Sequence, residues 1–116
     1  MIGLLQRPEW LDRILHHGKV WDIRAHKTSK VGQRIALVEC GVHPWVVRGH
    51  ATLAACMPID TATLEQHEHL HQAPGWSERY TTPHAWVLSD VQECDPVAIR
   101  KRKGCVVWTQ CTPEES

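Results

Sequence analysis

The sequence predicts an α+β fold, a small mixed β-barrel or curled sheet of about five strands with two flanking helices. Three observations support this prediction. The chain has 116 residues, the length of one domain. Five short apolar segments are separated by turn residues, as in small all-strand sheets and barrels. Two other segments repeat apolar residues at helical spacing. We place one domain at residues 1–112 and a polar tail at 113–116.

The first helix is expected over residues 7–18. Pro8 suits the first turn of a helix, where its missing N–H is not needed. Trp10 and Ile14 are four residues apart and therefore belong to one apolar face. Gly18 is a typical residue to end the helix.

The strands follow from runs of β-branched and apolar residues. Gly49, inside the third run, indicates a bulge or a close approach of another backbone. Residues 41–44, which contain glycine and proline, are expected to form the turn before that strand. The five strands are expected at residues 20–25, 34–40, 46–59, 84–94 and 104–111.

The second helix is expected over residues 60–71, with Asp60 or Thr61 as its N-cap. Residues 72–83 are rich in turn formers and are expected to form a loop. Three histidines alternate at the end of this helix, but only His67 and His71 share a helical face. We therefore expect a solvated helix face there and no metal site.

Composition narrows the classes of function. The chain carries 13 basic and 13 acidic residues, so contact with nucleic acid requires a local basic patch. Five cysteines without C-x-x-C spacing indicate reduced thiols in a cytoplasmic protein. No segment is long enough to span a bilayer. We expect no cofactor, and the sequence leaves the oligomeric state open.

The stretch "GKVWDIRA", residues 18–25, is the strongest candidate for a site. Strand periodicity puts Trp21 and Ile23 on one face and Asp22 and Arg24 on the other. Lys19 lies just after the helix stop. The polar face is either a solvated strand surface with a local ion pair or the floor of a binding cleft.

This stretch, with the helix before it, resembles the opening of the ASCH family. The family signature is a helix, a glycine, a lysine, an acid and an arginine, which here are Gly18, Lys19, Asp22 and Arg24. "VGQRIALVECG", "VVRGHATLAACMPI", "TTPHAWVLSDV" and "GCVVW" resemble its later strands. The resemblance covers roughly residues 7–110 and implies a PUA-like β-barrel.

The resemblance implies recognition of RNA, single-stranded nucleic acid or a modified nucleoside in a central cleft. Lys19 and Arg24 would engage a phosphate or a base edge, and Asp22 would accept a hydrogen bond from an exocyclic amine. Trp10, Trp21 and Trp108 fit apolar patterns and are expected in the core. The remaining binding candidates are stacking or basic residues in loops: Lys27, Trp45, Trp76, Tyr80, Arg100 and Lys101.

Two other functions stay open. Some small ASCH relatives hydrolyse N4-acylated cytidine and others are described as ribonucleases. That chemistry would use Lys19 with Asp22, Glu65, Glu68 or His71. However, a threonine of the amidohydrolases is replaced here by Asp22, whose charge favours a protonated lysine and opposes a nucleophilic role. A protein-interaction module without a working cleft is the third possibility.

Overall fold

The computed structural model describes residues 1–74 and 82–114. Six strands and three short helices occur in this part of the chain. In order they are β1 Ile2–Gln6, α1 Pro8–His16, β2 Trp21–Arg24, β3 Arg34–Glu39, β4 Trp45–Pro58, α2 Thr61–Gln66, α3 Glu68–His71, β5 His84–Ile99 and β6 Trp108–Gln110.

The six strands form one curled sheet in the order β2-β5-β4-β3-β1-β6. The β1–β3 pair is parallel and the other four pairs are antiparallel. The prediction of a small mixed α+β fold is confirmed. The sheet is a half-barrel, so it leaves one face open at the end where β1, β2 and the start of α1 meet.

The long β4–β5 ribbon carries the bulge that Gly49 predicts. Its register with β5 shifts on both sides of Gly49. A side-chain carbon at residue 49 would lie 2.6 Å from the carbonyl oxygen of Gln92. Only glycine allows the two backbones to approach so closely. β5 also continues past its expected end at Cys94 to Ile99, because β4 offers a partner along that whole length.

The sequence analysis missed β1. Its five residues form a short apolar run that lacks the alternation of a half-buried strand. β1 is buried because it lies between β3 and β6, and neither neighbour is close to it in sequence. β6 is correspondingly shorter than expected and spans only Trp108–Gln110. Past residue 112, Pro113 still bridges to Ile99 of β5.

The second predicted helix is two helices. Asp60 is the N-cap of α2 as expected, and its carboxylate accepts a hydrogen bond from the Thr63 N–H at 2.7 Å. The break comes at His67, whose backbone leaves the helical region. His67 stacks on Trp21 with 5.2 Å between ring centres. The break thus lets Leu64 and His71 both reach the interior, where each is buried.

The core of the domain lies between α1 and the concave face of the sheet. Leu11 and Ile14 of α1 pack there against buried residues of β3, β4 and β5. A second apolar cluster on the other side of the sheet includes Leu5 and Trp45. Trp10 points away from both clusters and remains half-buried.

Candidate functional site

Asp22 is buried, although it lies on the polar face of an edge strand. Its exposed fraction is 6%. Oδ2 accepts a hydrogen bond from Arg24 Nε at 2.8 Å and another from Gln6 Nε2 at 3.1 Å. Oδ1 has no hydrogen bond to any residue in the described ranges. The polar face of β2 is therefore not a solvated surface but part of a structured site.

Arg24 holds Asp22 in place. Arg24 Nε bonds to Asp22, and Arg24 Nη2 donates a hydrogen bond to the carbonyl oxygen of Leu5 at 2.9 Å. Its guanidinium carbon lies 5.6 Å from the centre of the Trp86 ring. Two of its three nitrogens are thus committed to the protein, so Arg24 organises the site more than it offers a free fork to a phosphate.

Asp22 and Arg24 line a cleft of about 460 Å³, a volume typical of small-molecule sites. The cleft lies where the end of β1, the start of α1 and β2 meet, with the loops after β3 and before β6 at its rim. Ten residues line it: Leu5, Gln6, Arg7, Glu9, Trp10, Asp22, Ile23, Arg24, Cys40 and Val106.

Eight of the ten lining residues were not predicted for the site from the sequence, and they include Gln6, Arg7 and Trp10. Gln6 ends the unpredicted strand β1, so nothing in its local pattern indicates a site. Arg7 is exposed at the rim. Trp10 is a correction, because the apolar pattern of α1 predicted a core position. The sequence did contain one signal. In "QRPEW", Gln6 and Arg7 come immediately before the first helical turn and Trp10 lies within it.

Lys19 does not line this cleft. Its side chain is buried, with an exposed fraction of 2%. Nζ donates to the carbonyl oxygens of Trp21, at 3.0 Å, and of His71. It lies 5.3 Å from the centre of the Trp10 ring, beneath the aromatic wall of the cleft.

Burial lowers the pKa of Lys19 from 10.5 to about 8. Nearby Arg13 and Arg24 also lower it, while Asp22 raises it. From the sequence, the charge of Asp22 was expected to keep the amine protonated. In the folded protein the loss of hydration outweighs the attraction of one carboxylate.

Glu65, Glu68 and His71, three of the residues proposed for hydrolysis, lie outside the cleft lining, whereas Asp22 belongs to it. Glu65 and Glu68 are exposed on α2 and α3. His71 is buried, and both of its ring nitrogens are in use. Nε2 lies 2.7 Å from the Leu64 carbonyl oxygen, and Nδ1 accepts a hydrogen bond from the Ala73 N–H at 2.9 Å. His71 therefore supports the α2–α3 corner and, through its own carbonyl, holds Lys19.

The loop candidates divide into three groups. Trp45 is a core residue rather than a stacking residue, because the curl of the sheet turns it into the second apolar cluster. Lys101 Nζ lies 6.0 Å from the centre of the Trp45 ring. Lys27 and Arg100 are exposed and do not line the cleft. Trp76 and Tyr80 lie outside the described residues.

Within residues 1–74 and 82–114, no group of three histidine, cysteine or acidic side chains is arranged to hold a metal ion. The described helices are also all too short or too polar to cross a membrane. The site rests on the carboxylate, amide and indole groups around the cleft.

Known structures share this architecture. The crystal structure of the ASCH protein from Zymomonas mobilis matches with a TM-score of 0.69 and 20% identity, over 84% of this chain and 72% of that one. One mutant of that protein matches with a TM-score of 0.76 and 20% identity, over 93% and 85% of the two chains. A second mutant matches with a TM-score of 0.69 and 20% identity, over 84% and 74%.

No family model matches the sequence, and no curated protein matches it. At 20% identity and 84–93% coverage of this chain, the likeness to these structures is one of fold. The predicted resemblance to the ASCH family is confirmed at the level of the fold: this chain has the fold of the ASCH protein from Zymomonas mobilis.

Proposed function

We propose that the protein is an ASCH domain that binds RNA or a nucleotide and holds one nucleobase in the cleft. The observation that carries this proposal is the buried Asp22 carboxylate. One of its oxygens is held by Arg24 and Gln6, and the other is unpaired within the described residues beside a cleft of nucleobase-compatible size.

Asp22 supplies recognition in this proposal. A carboxylate oxygen accepts a hydrogen bond from an exocyclic amine, such as that of cytosine or adenine. Because Asp22 is shielded from water, that hydrogen bond is stronger than an exposed one. Prior bonds to Arg24 and Gln6 fix the carboxylate, so binding does not have to order it.

Trp10 supplies a stacking surface. It is half-buried and lines the cleft together with Asp22. Stacking on an indole holds a base without regard to its sequence, and the Asp22 contact then discriminates between bases.

Arg7 supplies the local positive charge. It is exposed and lines the cleft, as does Val106 of the loop that also carries residues 100–103. This loop contains four consecutive basic residues. A phosphate attached to a bound base would have Arg7 within reach and the basic loop as an outer contact.

The proposal includes a cytoplasmic location. All five cysteines are free thiols, which suits a reducing compartment. No contact with a membrane is needed by any part of the proposed site.

The experiment is a binding assay with free nucleosides and short single-stranded RNA. Asp22→Asn and Trp10→Leu should each weaken binding by tenfold or more. The matched controls are Asp95→Asn, which changes an exposed acid on β5, and Trp45→Leu, which changes an indole of the second apolar cluster that does not line the cleft. Absence of binding, or equal binding by the two cleft variants and their controls, would overturn the proposal.

Hydrolysis of an acylated cytidine is the second candidate, and the lowered pKa of Lys19 favours it. A partly neutral amine near pH 8 is a usable base. The reaction would add water to the acyl carbonyl carbon, break the bond to N4 and release cytidine and a carboxylic acid. Against it, Lys19 Nζ is covered by two carbonyl oxygens and does not line the cleft.

A turnover assay on N4-acetylcytidine and on RNA separates the two functions. An enzyme would turn over at least one substrate and lose that activity in Lys19→Ala. No turnover, or turnover that persists in Lys19→Ala, removes the hydrolytic role of Lys19.

A further inference from the structure

We propose that Lys19 is a positioning residue that acts on the bound ligand through Trp10. Its ammonium group holds the indole in place as the aromatic wall of the cleft and strengthens the stacking of a base on that indole. This inference rests on the proposed function, because it concerns how that cleft binds a base. It differs from a direct role for Lys19, which would require contact with the ligand.

The position of the amine is set by the backbone. Its two acceptors are the carbonyl oxygens of Trp21, at the start of β2, and His71, at the end of α3. Because the side chain is buried, it has little freedom to leave them. The amine therefore stays fixed whether or not a ligand is present.

Trp10 connects this fixed charge to the cleft. Its ring centre lies 5.3 Å from Lys19 Nζ, within the range of a cation–π interaction. The same indole lines the cleft. Lys19 itself does not, so its effect on a ligand passes through Trp10.

The charge on Lys19 depends on the groups packed around it. α1 contributes Arg13, and β2 contributes Asp22 and Arg24. α3 contributes His71, whose ring nitrogens are occupied by Leu64 and Ala73. The balance of these groups with burial puts the pKa of Lys19 at about 8. The ammonium of Lys19 is therefore lost in mildly alkaline solution.

The test follows binding of cytidine and adenosine from pH 6.5 to 9.5, because neither nucleoside gains or loses a proton in that range. Wild-type affinity should fall about two- to fivefold as the pH rises through about 8. Lys19→Arg keeps its charge throughout and should remove the fall. Trp10→Leu should bind more weakly with no pH dependence near 8. Thermal melting of each variant checks that it folds.

A second measurement needs no ligand. The fluorescence of Trp10, obtained as the difference between the wild-type protein and Trp10→Leu, should titrate with a midpoint near pH 8. It should not titrate in Lys19→Arg or Lys19→Met. A signal that is flat in the wild type, or unchanged by both Lys19 substitutions, overturns the link between the two residues.

The two proposals fail in different ways. If neither nucleoside binds while the fluorescence still titrates, the proposed function is wrong and the Lys19–Trp10 link stands. If binding occurs with a flat pH profile, or if Trp10→Leu keeps the wild-type profile, the positioning role of Lys19 is wrong and the binding function stands.

Discussion

Arg24 lies over a buried indole, with its guanidinium carbon 5.6 Å from the centre of the Trp86 ring. Trp86 is stacked in turn on Trp108, with 5.6 Å between ring centres and an angle of 13° between the planes. Lys30 lies 5.5 Å from the centre of the Trp108 ring. The site is thus backed by two stacked indoles with a cationic side chain at each end, and this column supports Arg24 where it pairs with Asp22.

Asp22→Asn should destabilise the fold as well as weaken binding. The substitution removes the negative charge that pairs with Arg24 while leaving Arg24 in place between Leu5 and Trp86. We expect a loss of about 1–3 kcal/mol in the free energy of unfolding, because a charged hydrogen-bond donor loses its ionic partner. Urea denaturation measures it.

Asp90→Asn is the control for that prediction. Asp90 also faces an arginine, Arg34, at 3.4 Å, but its side chain is 70% exposed. The free energy of unfolding of the Asp90→Asn variant should differ from that of the wild type by no more than about 0.5 kcal/mol. Equal losses in the two variants would show that burial of Asp22 is irrelevant to its ion pair.

Arg7→Ala should weaken oligonucleotide binding in a salt-dependent way. Loss of one phosphate contact lowers the slope of log affinity against log salt concentration by about 0.7 for a single strand. Binding of an uncharged nucleoside should not change. Arg48→Ala is the control, because Arg48 pairs with Glu39 at 3.3 Å beside a different cavity. A uniform loss for nucleoside and oligonucleotide would assign Arg7 to the base instead.

Gly49→Ala should destabilise the β4–β5 ribbon. The new carbon would lie 2.6 Å from the Gln92 carbonyl oxygen and 3.0 Å from Leu15 Cδ2, and the first neighbour is backbone that cannot rotate away. We expect a cost of about 1–3 kcal/mol, the usual range for overpacking. Thermal or urea unfolding checks it against Ala54→Ser, at an exposed position of the same strand. A stability equal to wild type would refute the close approach.

Stability should depend on pH through His16. Its Nδ1 lies 2.8 Å from Asp12 and its Nε2 lies 2.8 Å from Glu93. Both hydrogen bonds raise the pKa of His16 above 6.5, and the bond to Asp12 has the larger effect. The stabilisation is therefore complete below pH 6.5 and is lost as the pH rises through the raised pKa. The same contact lowers the pKa of Asp12 below 3.8. The stabilisation that Asp12 contributes is therefore present above pH 3.8 and is lost as the pH falls through the lowered pKa.

His16→Gln tests this link between α1 and β5. The stability difference between wild type and variant should shrink from pH 6 to pH 9, and 1 M salt should reduce it because all three groups are exposed. Glu93→Gln should remove part of the effect. Parallel pH profiles for wild type and His16→Gln would contradict the prediction.

Local signals predicted much of the fold. Pro8 and Gly18 bracket α1, Asp60 caps α2, and Gly49 lies at the bulge, each for the backbone reason that its residue type suggests. The failures came where tertiary contacts decide. β1 is a strand because β3 and β6 flank it, and the second helix breaks at His67 because that ring stacks on Trp21.

The candidate site shows the same division. The spacing of Asp22 and Arg24 was enough to pair them on one strand face, as observed. It was not enough to bury Asp22, because its second donor, Gln6, comes from a strand 16 residues away in sequence. The sequence pattern placed Trp10 in the core and Trp45 at a stacking position, whereas in the structure Trp10 lines the cleft and Trp45 lies in an apolar cluster.

The sequence by itself determined the fold class, the helix and strand that carry the glycine-lysine-acid-arginine signature, and the alternation that separates Asp22 and Arg24 from Trp21 and Ile23. These features follow from neighbours a few residues apart. Only the tertiary structure decided that Asp22 is buried, that Lys19 lies behind Trp10, and that Gln6 and Arg7 join the cleft. Those outcomes depend on which distant strands pair and how far the sheet curls, and neither is encoded in local periodicity.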